Sequence, residues 1–223
     1  MRGFVKYIVG KTYKPLLVKY LSKTRSYSYR GINLEVPPEV FHPGFFFSTR
    51  LLLRYVARES LHGKTFLELG AGSGLISIYA AMRGANVIAT DINPVALQSI
   101  VNNAELNGVE IETVYSDVFR NLVPQAFDLI VINPPYYKKH PASNADYAWY
   151  CGENGEYFQS LFAGLNQYMS SDSVVLMVLC DGCDIPMIKE LANESEFNMR
   201  CVYSNKTLIE ANYIFKIEQA RWF

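Results

Sequence analysis

A glycine-rich loop is the part of the sequence whose spacing points most directly to ligand chemistry. Glycine occupies every second position of residues 70–74, directly after an apolar run, and Glu68 stands two residues before the first of them. Glycines let the backbone approach a ligand closely, and the helix that follows presents free N–H groups. The dinucleotide-binding pattern requires glycine at position 75, which is leucine here. The Glu68 carboxylate would repel a pyrophosphate, whereas it would attract a cationic methionine group.

Two further acids follow at the ends of the next predicted strands. Asp91 comes 21 residues after Gly70, at a position where a carboxylate can accept hydrogen bonds from both ribose hydroxyls. Asp117 follows the third strand, where it could accept from an adenine amino group while the Val118 amide donates to the ring. Each feature alone also suits a turn or a helix cap. Their order along successive strands predicts a nucleoside-binding site.

The fourth predicted strand ends in Asn133-Pro134-Pro135-Tyr136. Two prolines restrict the loop and remove two backbone donors, which leaves carbonyl groups as acceptors. The Asn133 side-chain oxygen and the Pro134 carbonyl could each accept one N–H of a substrate NH₂ group, and Tyr136 could stack on a planar substrate. A rigid turn that only ends the strand is the alternative. Downstream of a nucleoside site, the pattern favours a substrate that bears an NH₂ group.

Together these residues resemble the Rossmann-like S-adenosylmethionine-dependent methyltransferases. The resemblance implies S-adenosylmethionine as cofactor and seven strands, of which the last is antiparallel. The predicted cofactor-binding residues are Glu68, Gly70, Ala71, Gly72, Gly74, Asp91, Ile92, Asp117, Val118 and Asn133. The predicted catalytic residues are Asn133, Pro134, Pro135 and Tyr136, and no metal ligand is predicted.

The Asn-Pro-Pro-Tyr tetrapeptide is similar to the signature of enzymes that methylate the amine of adenine or cytosine, or the amide of glutamine. Residues 149–155 (Trp-Tyr-Cys-Gly-Glu-Asn-Gly) are similar to the Gly-Gly-x-x-Gly stretch of the HemK/PrmC family, which methylates glutamine in peptide-chain release factors. Cys151 departs from that family, which has its first glycine there. Residues 41–53 occupy the position of a loop that closes over the cofactor.

Four functions therefore stay open at this point. The first is methylation of a protein glutamine amide, with a release factor as the protein partner. The second is methylation of an adenine amino group in ribosomal or transfer RNA, or in DNA. A small-molecule amine methyltransferase and a non-catalytic cofactor-binding protein are the others.

The surrounding elements alternate between strand and helix. Strand-like runs occupy residues 65–69, 87–90, 111–115, 128–132 and 173–180, and helical stretches lie near 76–82, 94–107, 155–169 and 185–192. This order predicts an α/β fold with a doubly wound, mostly parallel seven-stranded sheet. Residues 200–204 and 212–219 predict a terminal antiparallel pair. A hairpin is expected around Arg30-Gly31, and a helix capped by Ser48 or Thr49 is expected to run through Glu59 to Gly63.

Composition and charge set the remaining expectations. The chain has 223 residues, of which 50% are hydrophobic, and its 21 basic and 21 acidic residues balance. Residues 1–34 hold eight basic residues and no acid. We therefore expect a short basic helical and hairpin extension over residues 1–45 and a methyltransferase domain over residues 46–223. The extension could contact phosphates, an anionic membrane surface or an acidic protein, or be the solvated face of packed helices.

No apolar run is long enough for a membrane span, and no signal peptide is evident. We expect a cytoplasmic protein with reduced thiols and no membrane partner; the oligomeric state stays open and is compatible with a monomer. Cys180-Asp181-Gly182-Cys183 has a metal-like spacing, but no second ligand pair lies nearby in sequence. It is expected to be a turn with two buried thiols. His140, just after the proline loop (residues 133–136), could contact the substrate.

Overall fold

Strands and helices alternate along most of the chain, as a computed structural model of residues 19–207 and 210–220 shows. The strands are β1 (Arg25–Tyr29), β2 (Ile32–Val36), β3 (Thr65–Leu69), β4 (Asn86–Asp91), β5 (Glu112–Tyr115), β6 (Leu129–Ile132), β7 (Val174–Cys180), β8 (Phe197–Lys206) and β9 (Ala211–Gln219). The α-helices are α1 (Phe47–Val56), α2 (Leu75–Met82), α3 (Pro94–Leu106), α4 (Glu156–Leu165) and α5 (Ile185–Glu194). Short 3₁₀ helices occupy Asn144–Ala148 and Asn166–Tyr168. None of the helices in these described ranges combines the length and apolar character of a membrane span.

The central sheet has the strand order β5-β4-β3-β6-β7-β9-β8. Strands β3 to β7 are parallel, and β9 lies antiparallel between β7 and β8. This confirms the predicted seven-stranded doubly wound fold and its terminal antiparallel pair. The strand order reverses at β3, because β4 lies on one side of it and β6 on the other. Open α/β sheets bind ligands at such a switch point, beyond the carboxyl ends of the strands.

The two faces of the sheet are covered by separate apolar layers. One layer joins Leu67 and Ile130 to Phe158 and Phe162 of α4. The other joins Phe66, Val131 and their neighbours to α1, α2 and β2. Strand β6 is buried at all four positions, which explains its uninterrupted apolar sequence.

The hairpin that precedes the sheet domain is confirmed. Arg30 and Gly31 both have positive φ, 52° and 82°, as a two-residue turn between right-twisted strands requires. Alternate residues of β2 (Ile32, Leu34 and Val36) are buried in the layer that also contains α2. The basic residues up to position 18, and the short helical pieces expected there, lie outside the described residues. The domain boundary at residue 45 stays a prediction.

Helix α1 differs from its prediction at both ends. It begins at Phe47 after Phe46, which has no side-chain cap, so neither Ser48 nor Thr49 is the cap. Both hydroxyl side chains lie inside the helix and are buried. The helix ends at Val56 and not near Gly63, because a tighter turn follows in which the Glu59 N–H donates to the Val56 carbonyl (2.9 Å).

Candidate active site

A cavity of about 410 Å³ opens at the carboxyl ends of β3, β4 and β6 and at the loop after β5. Its wall contains twelve of the thirteen residues predicted for the cofactor and for catalysis, namely Glu68, Gly70, Ala71, Gly72, Asp91, Ile92, Asp117, Val118, Asn133, Pro134, Pro135 and Tyr136. Residues from four separate strand ends thus meet in one cavity because the switch point places their loops side by side.

Gly74 is the predicted site residue that does not line the cavity. It precedes α2 with φ +78°, and a Cβ placed on it would lie 3.3 Å from Cγ1 of Ile100 on α3. Glycine is therefore needed there for the left-handed backbone and for the close approach of α3. Gly74 shapes the loop, while Gly70 and Gly72 form the wall.

Glu68 lies at the base of the cavity and is almost fully buried. Its Oε2 accepts hydrogen bonds from the backbone N–H of Ser77 (2.8 Å) and from the Ser77 hydroxyl. Burial raises the pKa of Glu68 to about 8, and the Asp91 charge adds to the rise, although the bonds from Ser77 oppose it. A cation beside this carboxyl would favour its ionised form.

Asp91 is held in place by backbone donors. Its two carboxylate oxygens accept from the N–H of Gly72 (2.8 Å) and of Asn93 (2.9 Å). Each oxygen can accept a further hydrogen bond, and Asp91 lines the cavity. Burial raises the pKa of Asp91, against the lowering effect of these N–H groups. Asn93 also donates to the Glu39 carbonyl (3.0 Å), which fastens the segment before α1 to the site.

The amide of Asn133 is oriented by a residue that sequence reasoning missed. Asn133 Nδ2 donates to Oγ1 of Thr49 on α1 (3.0 Å), and both residues line the cavity. The Asn133 Oδ1 is then left as the acceptor. Since Thr49 and Asn133 are 84 positions apart, no local pattern signals the pair. Burial raises the pKa of the Tyr136 hydroxyl, as do the neighbouring Cys180 and Tyr137, so this phenol stays neutral.

The segment that resembles the HemK/PrmC motif backs directly onto the proline loop. The N–H of Tyr137 donates to the Trp149 carbonyl (2.9 Å), and the N–H of Cys151 donates to the Tyr137 carbonyl (3.0 Å). Gly152 has φ +90°, and a Cβ there would collide with the Glu156 carboxylate. Gly152 is therefore needed by this geometry, while the departing residue Cys151 is accommodated as a buried side chain.

The segment before α1 forms the opposite wall. Phe41 and Pro43 of this segment line the cavity, as does Thr49 in the first turn of α1, in agreement with a loop over the cofactor. The Phe41 ring packs against Phe46 and Trp149, with centroid separations of 4.4 and 5.2 Å.

Two other residues line the cavity. His140 lines it, as does Tyr157, which the sequence did not single out. Burial raises the pKa of the Tyr157 hydroxyl, and so do the charges of Asp91 and Asp117.

Comparison with known proteins places the chain in a family. Residues 33–150 match the family model described as methyltransferase small domain, and the chain belongs to this family. Its cofactor is S-adenosylmethionine, and the residues present fit it: the buried Glu68 suits a cationic group, and Asp91 offers acceptors for a ribose. When bound, this cofactor supplies a methyl group activated on a sulfonium.

Three relatives show where the similarity lies. A Methanocaldococcus jannaschii protein assigned as a protein N5-glutamine methyltransferase is 42% identical over 107 residues, 48% of this chain and 52% of the relative. A Campylobacter concisus ribosomal protein L11 methyltransferase is 34% identical over 124 residues, 54% and 44% of the two chains. A Geobacter sulfurreducens release factor glutamine methyltransferase is 30% identical over 131 residues, 58% and 45%. The chain spans about half the length of these curated relatives.

Solved structures share the fold. The E. cuniculi Mtq2–Trm112 complex, responsible for methylation of the eRF1 translation termination factor, matches with TM-score 0.63 and 21% identity over 82% of this chain and 99% of that one. The T. thermophilus 16S rRNA N2 methyltransferase in complex with AdoMet and guanosine matches with TM-score 0.65 and 20% identity over 89% and 50%.

Proposed function

We propose that this protein is an S-adenosylmethionine-dependent N-methyltransferase that methylates the side-chain amide of glutamine in a protein. One observation carries the proposal: Asn133 and Tyr136 line the same cavity as Glu68 and Asp91. An acceptor NH₂ group held by the first pair would therefore meet a methyl donor held by the second. Proximity and alignment of this kind are the main sources of rate in a transfer whose methyl group is already activated.

The residues of the proline loop have distinct tasks in this proposal. Asn133 Oδ1 and the Pro134 carbonyl accept the two N–H groups of the amide and turn its nitrogen toward the methyl donor. Thr49 holds Asn133 in that orientation. The Tyr136 ring covers the planar amide, while its neutral hydroxyl does not act as a base. The amide proton leaves after the transfer, so no strong base is required.

The relatives favour a protein over a nucleic acid as the methyl acceptor. The M. jannaschii and G. sulfurreducens proteins are both named for glutamine methylation, and the latter for release factors. We therefore propose a peptide-chain release factor as the partner. The eight basic residues within residues 1–34 are the feature that favours RNA or DNA and its adenine amino group instead.

Transfer of a radiolabelled methyl group into cell extract separates these two acceptors. We expect the label to be lost on protease digestion, to survive nuclease, and to be found on a glutamine by mass spectrometry. The Asn133→Ala variant should lose about 10²-fold or more in rate with nearly unchanged cofactor affinity, because it acts on alignment. A label that survives protease but is lost to nuclease would refute glutamine specificity. Turnover of Asn133→Ala within a few-fold of the parent would refute the role of the loop.

A further inference from the structure

Two thiols face each other at the carboxyl end of β7. Cys180 is the last residue of the strand, and its Sγ lies 3.8 Å from Sγ of Cys183. The turn between them is closed by the Cys183 N–H, which donates to the Cys180 carbonyl (3.1 Å). Cys180 is buried and Cys183 is partly exposed, so only one thiol matches the expected buried pair.

The fold brings one carboxylate that is distant in sequence, Glu210, to Cys180, while Asp181 directly follows Cys180 in the chain. Strand β9 is antiparallel to β7 with Cys180 opposite Asn212, so Glu210 follows on the same face of the sheet as Cys180. The ligand atoms of Cys180, Asp181 and Glu210 all lie within 4.8 Å of one another. The sequence did not reveal this ligand because Glu210 directly precedes β9, which is far from Cys180 in the chain but pairs with β7 in the sheet.

Cys180, Asp181 and Glu210 form the compact part of the donor set, and Cys183 adjoins it through the Cys180 sulfur. The set has the chemistry of a zinc site. Thiolate sulfur with carboxylate oxygen suits Zn²⁺, whereas Mg²⁺ and Ca²⁺ prefer oxygen alone. With Zn–S bonds of about 2.3 Å, two sulfurs of a tetrahedral site lie about 3.8 Å apart. The observed sulfur separation is 3.8 Å.

Asn212, which contacts Glu210, has a buried acceptor that supports a bound ion. Asn212 donates to Oε2 of Glu210 (2.9 Å), while its own Oδ1 is buried and has no hydrogen-bond partner in the described part of the chain. Buried acceptors are nearly always satisfied, so this one is consistent with a water or an ion bound next to Glu210.

We propose that Cys180, Asp181, Cys183 and Glu210 bind one zinc ion. The site is separate from the methyl-transfer chemistry and does not rest on the proposed function. It would join the turn after β7 to the start of β9. Because Cys180 lies beside Tyr136, which lines the cavity, the ion would also stiffen the adjoining wall.

Metal titration of the reduced, chelator-treated full-length chain tests this site. We expect one Zn²⁺ per chain in competition with a chromophoric chelator, and Co²⁺ should give the sulfur charge-transfer and intense d–d bands of a tetrahedral thiolate site. Zn²⁺ should protect two of the four thiols from a thiol reagent. Cys180→Ser with Cys183→Ser should abolish binding, and Glu210→Gln should weaken it at least tenfold. Cys201→Ser, which removes an exposed thiol on β8, is the matched control and should bind like the parent.

Three results would overturn the proposal. They are no Zn²⁺ uptake by the parent, binding unchanged in the double serine variant, and a Cys180–Cys183 disulfide in protein that takes up no metal. If circular dichroism shows that the double variant is unfolded, the decision falls to the Co²⁺ spectrum of the parent and to Glu210→Gln. A parent spectrum without sulfur charge transfer, or a Glu210→Gln affinity equal to that of the parent, would then refute the site.

Discussion

The Asn133 amide has a donor end and an acceptor end, and its donor end is engaged by Thr49. Thr49→Val keeps the side-chain shape but removes the hydroxyl, so the amide can rotate away from its productive orientation. We expect kcat to fall about tenfold, which corresponds to about 1.4 kcal/mol, the scale of one hydrogen bond. Cofactor affinity should stay within about twofold of the parent, because the lost contact orients the methyl-accepting substrate and not the cofactor. Steady-state kinetics with titration calorimetry checks both.

Thr49→Ser is the matched control for this prediction. Serine retains the hydroxyl at the same position, so its rate should stay near that of the parent. Equal rates for the valine and serine variants would show that Thr49 does not position Asn133.

The Glu68 carboxyl should make cofactor binding depend on pH. Its pKa in the free protein is about 8, so it is mostly protonated at neutral pH and ionises as the pH rises through that value. A cationic ligand favours the ionised form, so affinity should increase between about pH 6 and pH 8, with release of a proton on binding. Calorimetry in buffers of different ionisation enthalpy measures that proton. Glu68→Gln should flatten the profile; an unchanged profile would exclude Glu68 as its source.

The same residue affects stability in the opposite direction. The folded-state pKa of Glu68 is raised above the ordinary value of 4.5. Between about pH 4.5 and pH 8 the folded state therefore binds more protons than the unfolded state, and the stability of the ligand-free protein falls as the pH rises. The carboxyl that attracts the cofactor thus destabilises the protein without it.

The buried side chain of Asn103 joins helix α3 to strand β2 and to the glycine loop. Asn103 of α3 accepts from the Glu35 N–H of β2 (2.8 Å) and donates to the Ser73 carbonyl of the glycine loop (3.0 Å). Asn103→Ala removes the partners of both backbone groups, and the loss costs about 1–3 kcal/mol for a buried group such as the Ser73 carbonyl. We expect the free energy of unfolding to fall by about 2–4 kcal/mol and the hairpin to become sensitive to limited proteolysis.

The neighbouring Asn102 provides the control. It is exposed and bonds only to Gln98 among the described residues, so Asn102→Ala should change stability by less than about 0.5 kcal/mol. Urea denaturation of the two variants decides the matter. A similar small loss in both would mean that Asn103 does not link the hairpin to the loop.

At the scale of the whole molecule, the sequence predicted what depends on local pattern. Apolar runs located β3 and β6, and the glycine spacing located the loop that follows β3, because each of these signals lies within a few residues. The contact of Thr49 with Asn133 and the approach of Glu210 to Cys180 depend on topology, since their partners are far apart in the chain. The predicted cap of α1 was wrong for the same reason. The Thr49 hydroxyl accepts a hydrogen bond from the distant Asn133 and does not cap its own helix.

Cofactor binding should stabilise the molecule as a unit, because the cavity wall draws on loops from both sides of the switch point. A ligand at about 100 times its Kd adds about 2.7 kcal/mol to the native state. For a chain of this size, that raises Tm by about 5–10 °C.

Asp91→Ala should weaken binding by about 1.5–3 kcal/mol, the scale of hydrogen bonds to a charged group. At the same ligand concentration, the stabilisation then falls to about 0.3–1.3 kcal/mol.

The shift on adding S-adenosylmethionine, and not the absolute Tm, is the quantity to compare. Asp91 also accepts from Gly72 and Asn93, so its loss lowers the ligand-free Tm as well. Asp172→Ala is the control, because it removes an exposed carboxylate just before β7, at the amino ends of the strands and away from the cavity. This variant should keep the full shift. A full shift in Asp91→Ala would mean that the ribose is bound elsewhere, since no other change in the variant could compensate for the loss of both acceptor oxygens.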